Sequence, residues 1–362
     1  MEQTGCKKIK ILLLSRYGNL GASSRIRSYQ YLPYLREQGL EITMAPLFSD
    51  EYLHYLYSGK KPRVISVLLA YSRRIRQLIN GTKFDLLWIE YELFPWLPSW
   101  IESLMLPKGT PYLVDYDDAI FHRYDLHSRP LVRRILGNKI DVFMRHASTV
   151  IVGNDYLRDR AIRAGAQRVV ILPTSIDLAR YPLPKPSSNE LFTIGWIGSP
   201  TTTKYLRQIH DVLAKVCAHG RAKLVLVGAS DPGWRDVPYV IHPWSEDTEV
   251  SEVSSFDVGI MPLENNPWER GKCGYKLIQY MACGKPIVAA AVGINTQIVE
   301  PGINGYLAET AHDWRRAFTL LIADADLRQR MGVAGRAKVE SDYSVQVNAP
   351  RLAAVLRAAR YV

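Results

Sequence analysis

Short β-branched or apolar runs alternate with longer amphipathic stretches along almost the whole chain, and this rhythm constrains the fold more than any other feature. It is the pattern of βα units winding around parallel sheets. In the front half the predicted strands are residues 9–15, 40–46, 86–90, 112–116, 149–152 and 169–172. Helices are predicted over 23–38, 65–80, 130–145 and 156–165, between those strands. Strands restart at 192–197 and continue at 224–227, 239–241, 258–261 and 287–290. Between the two series, residues 181–190 (YPLPKPSSNE) hold three prolines and a Ser-Ser-Asn run, which deny regular structure and read as a linker. Two doubly wound α/β domains follow, and such sheets bind ligands at the carboxyl ends of their strands.

A chain of 362 residues has the length for two such domains, and 47% apolar content supplies two cores. No window approaches the roughly 18 uncharged apolar residues of a spanning helix. The basic start (Lys7, Lys8, Lys10) leads into Ile11–Leu14, but that run ends at Ser15-Arg16. A secretory signal needs about 7–15 apolar residues, so a first strand is the better reading. Cys6, Cys217, Cys273 and Cys283 are too dispersed for a CxxC motif and too few for a disulfide framework, which points to the cytoplasm. The net charge is +11, and it is uneven. Residues 1–180 carry 26 basic and 17 acidic side chains, against 20 and 18 in the rest. The front half is therefore expected to meet an anion: a phosphorylated substrate, an anionic membrane surface or nucleic acid.

Three places in the front half can carry chemistry. The first strand runs into Tyr17-Gly-Asn-Leu-Gly21-Ala-Ser-Ser24, where Gly21 brings backbone amides near an anion and Ser23 or Ser24 caps the next helix. Arg25 and Arg27 sit in its first turn, where an anion would offset them; the bland alternative is a turn with solvated arginines. Asp115-Tyr-Asp117-Asp118 follows the fourth strand, and three carboxylates in four residues require something to balance them. Asp115-x-Asp117 also matches a metal-binding DxD, though a solvated loop paired with His122 or Arg123 accounts for it too. Glu90 and Glu92, at the end of the third strand, are placed to face the same ligand as a hydrogen-bonding group or base.

The most specific stretch runs from Gly271 to Ala290 (GKCGYKLIQYMACGKPIVAA) and continues to Gly302-Ile-Asn-Gly305. The Gly271-Lys272-Cys273-Gly274 loop delivers amides to the N-terminus of a helix at Tyr275–Ala282, and Lys272 and Lys276 flank that positive end. Loop, helix end and lysines together form a pyrophosphate cradle. A buried helix with decorative lysines explains Leu277, Ile278 and Met281 but not the glycines.

This segment closely resembles the donor site of family 4 glycosyltransferases. Residues 21–39, 147–154, 171–177 (ILPTSID) and 256–263 are similar to that family's other segments, in the same order. The resemblance implies a GT-B fold: two Rossmann-like doubly wound domains facing a central cleft. They would span 1–180 and 191–340, with a C-terminal helix in 341–362 packing back toward the first. It also implies a nucleotide-sugar donor bound without metal or other cofactor, and retention of anomeric configuration. The family's paired glutamates fall on Gly271 and Gln279, and Glu269 stands nearby as a substitute. Its Arg-x4-Lys phosphate pair falls on Ser199 and Lys204, and its strand-end histidine on Asp117. The base is expected near Gly228 and Trp244, with Tyr275 in the donor loop. Lys204, Lys272 and Lys276 are then assigned to the leaving diphosphate, while Asp117 and Asp118 position sugar or acceptor.

Residues 51–80 interleave Tyr52, Tyr55 and Tyr57 with Lys60-Lys61-Pro-Arg63 and Arg73-Arg74-Ile-Arg76, and residues 129–145 are basic as well. Such stretches suit an anionic membrane surface, or are simply solvated helix faces. The expected protein is a cytoplasmic, peripherally membrane-associated transferase using a glycan or lipid-linked acceptor in cell-surface polysaccharide or glycolipid synthesis. No nucleic-acid recognition motif is present. A degenerate nucleotide-sugar-binding protein and a metal-dependent DxD enzyme remain as alternatives.

Overall fold

The computed structural model describes residues 8–57, 64–182, 190–218 and 220–361. Cys6, Lys7, the Lys60–Arg63 run and most of the linker lie outside the described residues. The chain forms two compact units, Met1–Thr174 with Asn348–Val362, and Ser175–Val347. The first boundary thus falls at 174, ahead of the expected 180. Tyr181, placed by sequence in the linker, is buried in the core of the second unit.

In the first unit the order is β1 (Ile9–Leu14), α1 (Ala22–Arg27), α2 (Leu32–Glu37), β2 (Leu40–Met44), α3 (Asp50–Tyr57), α4 (Val64–Ile79), β3 (Leu86–Glu90) and α5 (Ser99–Met105). It continues with β4 (Tyr112–Tyr116), α6 (His122–Asp125), α7 (Pro130–Leu136), α8 (Lys139–His146), β5 (Thr149–Val152), α9 (Asp155–Ala164) and β6 (Val169–Ile171). All strands are parallel, in the order β2-β1-β3-β4-β5-β6. β3 and β4 are buried at every residue, as expected for strands covered on both faces. Asn154 caps α9 by accepting from the Leu157 amide at 3.0 Å, and Gly165 ends it with φ +85°.

The second unit runs β7 (Phe192–Ile197), a 3-10 helix (Pro200–Ile209), α10 (His210–Cys217), β8 (Ala222–Val227), β9 (Tyr239–His242), α11 (Glu249–Ser254), β10 (Val258–Met261) and α12 (Pro267–Arg270). Then come α13 (Tyr275–Ala282), β11 (Ile287–Ala290), α14 (Asn295–Ile298), β12 (Gly305–Ala308), α15 (Ala311–Ala323) and α16 (Ala325–Asp342), while α17 (Val345–Ala358) belongs to the first unit from Asn348 onward. Its parallel sheet has the order β12-β11-β10-β7-β8-β9. Counted from its own first strand this is 6-5-4-1-2-3, the dinucleotide-fold order. Ile194, Trp196, Leu224, Ile260, Tyr280 and Ile287 belong to one buried cluster in this unit.

Three expectations need correction. The predicted helix over 23–38 is two helices separated by a short 3-10 turn at Tyr29–Tyr31, with Pro33 in the first turn of α2. Proline lacks the amide that would continue α1 through this point. The predicted helix over 130–145 breaks at Gly137-Asn138 into α7 and α8. β12 forms where only a Gly-Ile-Asn-Gly loop motif was read, pairing Gly305–Ala308 with Ile287–Ala290.

Candidate functional site

The reversal of strand order in the second sheet places β7 beside β10, so the loops leaving their carboxyl ends diverge and open a crevice. Gly198 leaves β7 and the 262–274 segment leaves β10. Gly274, the N-cap of α13, holds φ +68°, and a Cβ there would lie 2.4 Å from Ile298 Cδ1. Glycine alone meets both conditions, and this is how the loop turns sharply enough to aim the helix end at the crevice. No side chain caps α13, and no acidic residue lies in its first turn. Its positive end is therefore offered to a ligand.

Lys276, one residue into that helix, lies against Gly198. A Cβ on Gly198 would stand 2.7 Å from the Lys276 Nζ and 2.4 Å from the Trp196 ring. The ammonium sits over Trp196, 4.1 Å from the ring centroid, and among the described residues no carboxylate pairs with it. Burial pushes its pKa down to about 7, and Lys272 adds to the effect while Glu269 opposes it. A cation held partly desolvated, without an ion-pair partner, is poised for an anion. Lys272 lies 5.9 Å from the Trp268 ring centroid, and the more exposed Lys204 lies 5.1 Å from that of Tyr205.

Tyr205 and Glu269 tie this set together, although the motifs marked only the second. The Tyr205 hydroxyl donates to Glu269 Oε1, while Asn266 Oδ1 caps the Glu269 amide at 3.0 Å. Glu269 is buried, and its Oε2 has no hydrogen-bond partner among the described residues. Gln279 is buried too, but its Nε2 donates to the Tyr181 hydroxyl at 3.4 Å. Tyr181 in turn donates to Glu249 Oε1 at 3.4 Å, and Trp244 Nε1 donates to Glu249 Oε2 at 3.1 Å. Trp244 is thus a half-exposed ring anchored at its nitrogen, not a core tryptophan. Its Cβ lies 3.0 Å from where a Gly228 Cβ would be, so the β8 and β9 loops touch. Ser199 caps the 3-10 helix through a capping box with Thr202, a structural duty. Cys273 is buried, with its sulfur 4.0 Å from the Gly271 carbonyl, and Tyr275 is half-buried beside it.

In the first unit several assignments change. Gly21, not Ser23 or Ser24, is the N-cap of α1, and no side chain caps that helix. Ser24 Oγ instead donates to Glu90 Oε2 at 2.6 Å, and the Arg16 amide donates to the same oxygen at 3.1 Å. Arg25 is half-buried and reaches the Asn19 carbonyl at 3.3 Å. Arg27 is buried, with its Nε 2.7 Å from Asp115 Oδ1 and an Nη on the Leu172 carbonyl. Asp115 lies within β4, inside the predicted strand 112–116, and is committed to that pair, so it is a poor half of a DxD. Among the described residues no group of three or more His, Cys, Asp or Glu is arranged to hold a metal ion. Glu92 is buried between Lys139 (2.7 Å), the Tyr124 hydroxyl (2.7 Å) and Arg16 (3.4 Å). Both strand-end glutamates are therefore internal. His122 pairs with Asp125 at 2.8 Å rather than with the DYDD loop.

Asp117 accepts from the Tyr91 hydroxyl, a contact that spacing did not suggest. Tyr91 is buried and holds φ +63°, an unusual backbone state for so large a residue and one that clusters at functional positions. Burial, reinforced by Asp118, pushes the Asp117 pKa up to about 7, while Arg27 and the Tyr91 hydrogen bond oppose the rise. No helix among the described residues is long and apolar enough to cross a membrane.

A sequence profile of "Glycosyl transferases group 1" matches residues 191–324, and one of "Glycosyl transferase 4-like domain" matches residues 25–175. Together they cover every strand of both sheets except β1. The chain belongs to the group 1, family 4 glycosyltransferases. It is 26% identical over 206 residues to a D-inositol 3-phosphate glycosyltransferase of Stackebrandtia nassauensis, matching 47% of this chain and 44% of that one. A second enzyme so named, from Xylanimonas cellulosilytica, is 27% identical over 209 residues, 49% of this chain and 48% of that one. The match thus spans less than half the length of these relatives. This family member also superposes on a sucrose-phosphate synthase from Thermosynechococcus elongatus with TM-score 0.70 and 17% identity, over 96% and 98% of the two chains. Anabaena HepE, solved with UDP and glucose, gives TM-score 0.68 at 17% identity, over 96% and 99%. The shared architecture is GT-B.

Proposed function

We propose that the protein transfers a sugar from a nucleotide-sugar donor, bound in the second unit, to a glycan or lipid-linked acceptor, with retention and without a metal. The observation that carries this reading is Lys276: a cation at the start of α13, against Gly198, with no carboxylate of its own among the described residues. With Lys272, Lys204 and the α13 amides it supplies the charge that a leaving nucleoside diphosphate needs. In the transfer, the bond from the anomeric carbon to the diphosphate oxygen breaks. The acceptor oxygen bonds to that carbon from the same face, and its proton passes to the departing phosphate. Asp117, held by Tyr91, and Asp118 position sugar or acceptor hydroxyls. The half-exposed Trp244 offers a stacking face for the base. Activity on a lipid-linked acceptor fits a cytoplasmic location at an anionic membrane surface in polysaccharide or glycolipid synthesis.

One observation favours a second reading, a binding protein without turnover. Gly271 and the internally bonded Gln279 stand where the family carries glutamates. Thermal-shift titration with UDP, GDP, ADP and their sugars, with and without EDTA, tests the donor site. The proposal predicts stabilisation by one base class, unaffected by EDTA. A shift abolished by EDTA contradicts the metal-free site, and donor binding without turnover of any acceptor supports the second reading.

A further inference from the structure

Helix α4 is apolar on both faces: Val67, Ala70 and Tyr71 pack inward, yet large aliphatic side chains also point outward. Its inward face buries Ala70 and Leu78 but also Arg74, whose guanidinium donates to the Ser15 carbonyl at 2.7 Å. Arg74 is therefore no part of a basic surface, although its sequence context suggested one. On the outward face Val64, Ile65, Leu68 and Leu69 are 58–75% exposed. Leaving four large aliphatic side chains in water while burying an arginine is the reverse of what a solvated helix does. The exposed charges of α4 are Arg76 and Arg73, the second with one Nη donating to the Leu47 carbonyl at 2.7 Å and its other donors left over, and the helix contains no acidic residue. The neighbouring α5 exposes Trp100 and Leu104, and its only acid, Glu102, is fully buried.

Between α3 and α4 lies a cavity of about 410 Å³ lined by Phe48, Tyr52, Tyr55, Leu69, Arg73 and Arg76. Glu51 also lines it, outnumbered by the two arginines. Aromatic and aliphatic walls with arginines match the boundary between lipid headgroups and acyl chains. At 16 residues α4 is roughly 24 Å long, enough to lie in that boundary.

We propose that the α3–α4–α5 face docks on an anionic phospholipid bilayer, with Val64, Ile65, Leu68 and Leu69 entering the acyl boundary and Arg73 and Arg76 meeting headgroup phosphates. The inference rests on the membrane reading given above and specifies its surface. The bilayer is favoured over a second copy of the chain because the outward charges of α4 are all positive, and two such helices face to face would repel.

The test is co-sedimentation of the full chain with phosphatidylcholine vesicles, with and without phosphatidylglycerol. The native protein is expected to bind the anionic vesicles, and less so as salt rises. The exposed double substitution Ile65→Asp/Leu68→Asp should lower binding about tenfold or more, and Arg76→Glu should remove the preference for phosphatidylglycerol. Leu320→Asp, an exposed change in the second unit, should leave binding unchanged. Circular dichroism of each variant guards against misfolding. Failure of the native chain to bind any vesicle overturns the membrane reading itself. Native binding that survives Ile65→Asp/Leu68→Asp overturns this face alone. Competition by soluble glycerol phosphate assigns the cavity to a free phosphate and overturns the bilayer, as does a dimer that Ile65→Asp dissociates.

Discussion

Among single residues, Lys276 and the buried Arg27–Asp115 pair carry the charges whose environment matters most. Lys276 titrates near 7 because burial and Lys272 disfavour its ammonium form. A bound diphosphate favours the charged form and raises that value. Binding should therefore take up a proton when the pH is above about 7, and affinity should fall as pH rises from 7 to 9. At pH 8 the phosphates are fully ionised, their last pKa being near 6, so the uptake belongs to the protein. Calorimetry of nucleotide binding in buffers of different ionisation heat measures it, and Lys276→Met should abolish it. Zero uptake in the native protein would contradict the assignment. In the first unit, Arg27 and Asp115 are both buried and bonded to each other, so Arg27→Ala leaves a buried carboxylate without its cation. Denaturant unfolding should show a loss of about 3–5 kcal/mol. A near-neutral result would mean that Asp115 has another cation partner.

Among the elements, two glycines shape the proposed donor site. Gly198→Ala drives a methyl into Trp196 and Lys276, and Gly274→Ala meets Ile298 on a backbone of positive φ. Gly274→Ala should cost roughly 1–3 kcal/mol of stability. Gly198→Ala should weaken folding, because the methyl meets the buried Trp196 ring, and should weaken nucleotide binding further, because it also meets the Lys276 ammonium. Paired melting and binding measurements separate the two, and equal losses at both positions would refute the distinction. The strands were largely legible in the sequence because parallel strands buried on both faces leave unbroken apolar runs, as in residues 86–90 and 258–261. β12 was not, since four residues at a sheet edge, two of them half-buried, carry little periodic signal. The helices were overextended where Pro33 and Gly137 interrupt an otherwise regular apolar spacing. The glycine loop leading into α13 was legible because glycines and lysines crowd into six residues. Tyr91, Tyr181 and Tyr205 were not, because each meets its partner across a large gap in sequence.

At the scale of the whole molecule, each of the two units has its own sheet and core, and the proposed donor contacts belong to the second. A ligand held there at 100 times its dissociation constant stabilises what it binds by about 2.7 kcal/mol. Hydrogen exchange of the full chain with nucleotide should therefore slow in residues 198–204, 228 and 262–282, and not in the strands of the first unit. Protection confined to the first unit would move the donor site there. The proposed hold of Lys276 and the α13 N-terminus on a metal-free donor diphosphate is open to calorimetric titration of the full chain and its Lys276→Ala variant with the stabilising nucleoside diphosphate, in EDTA throughout. Native binding is expected, with a loss of roughly 1.5–3 kcal/mol in the variant, as befits a charge-assisted hydrogen bond. Equal affinity in the two proteins would remove Lys276 from the diphosphate site.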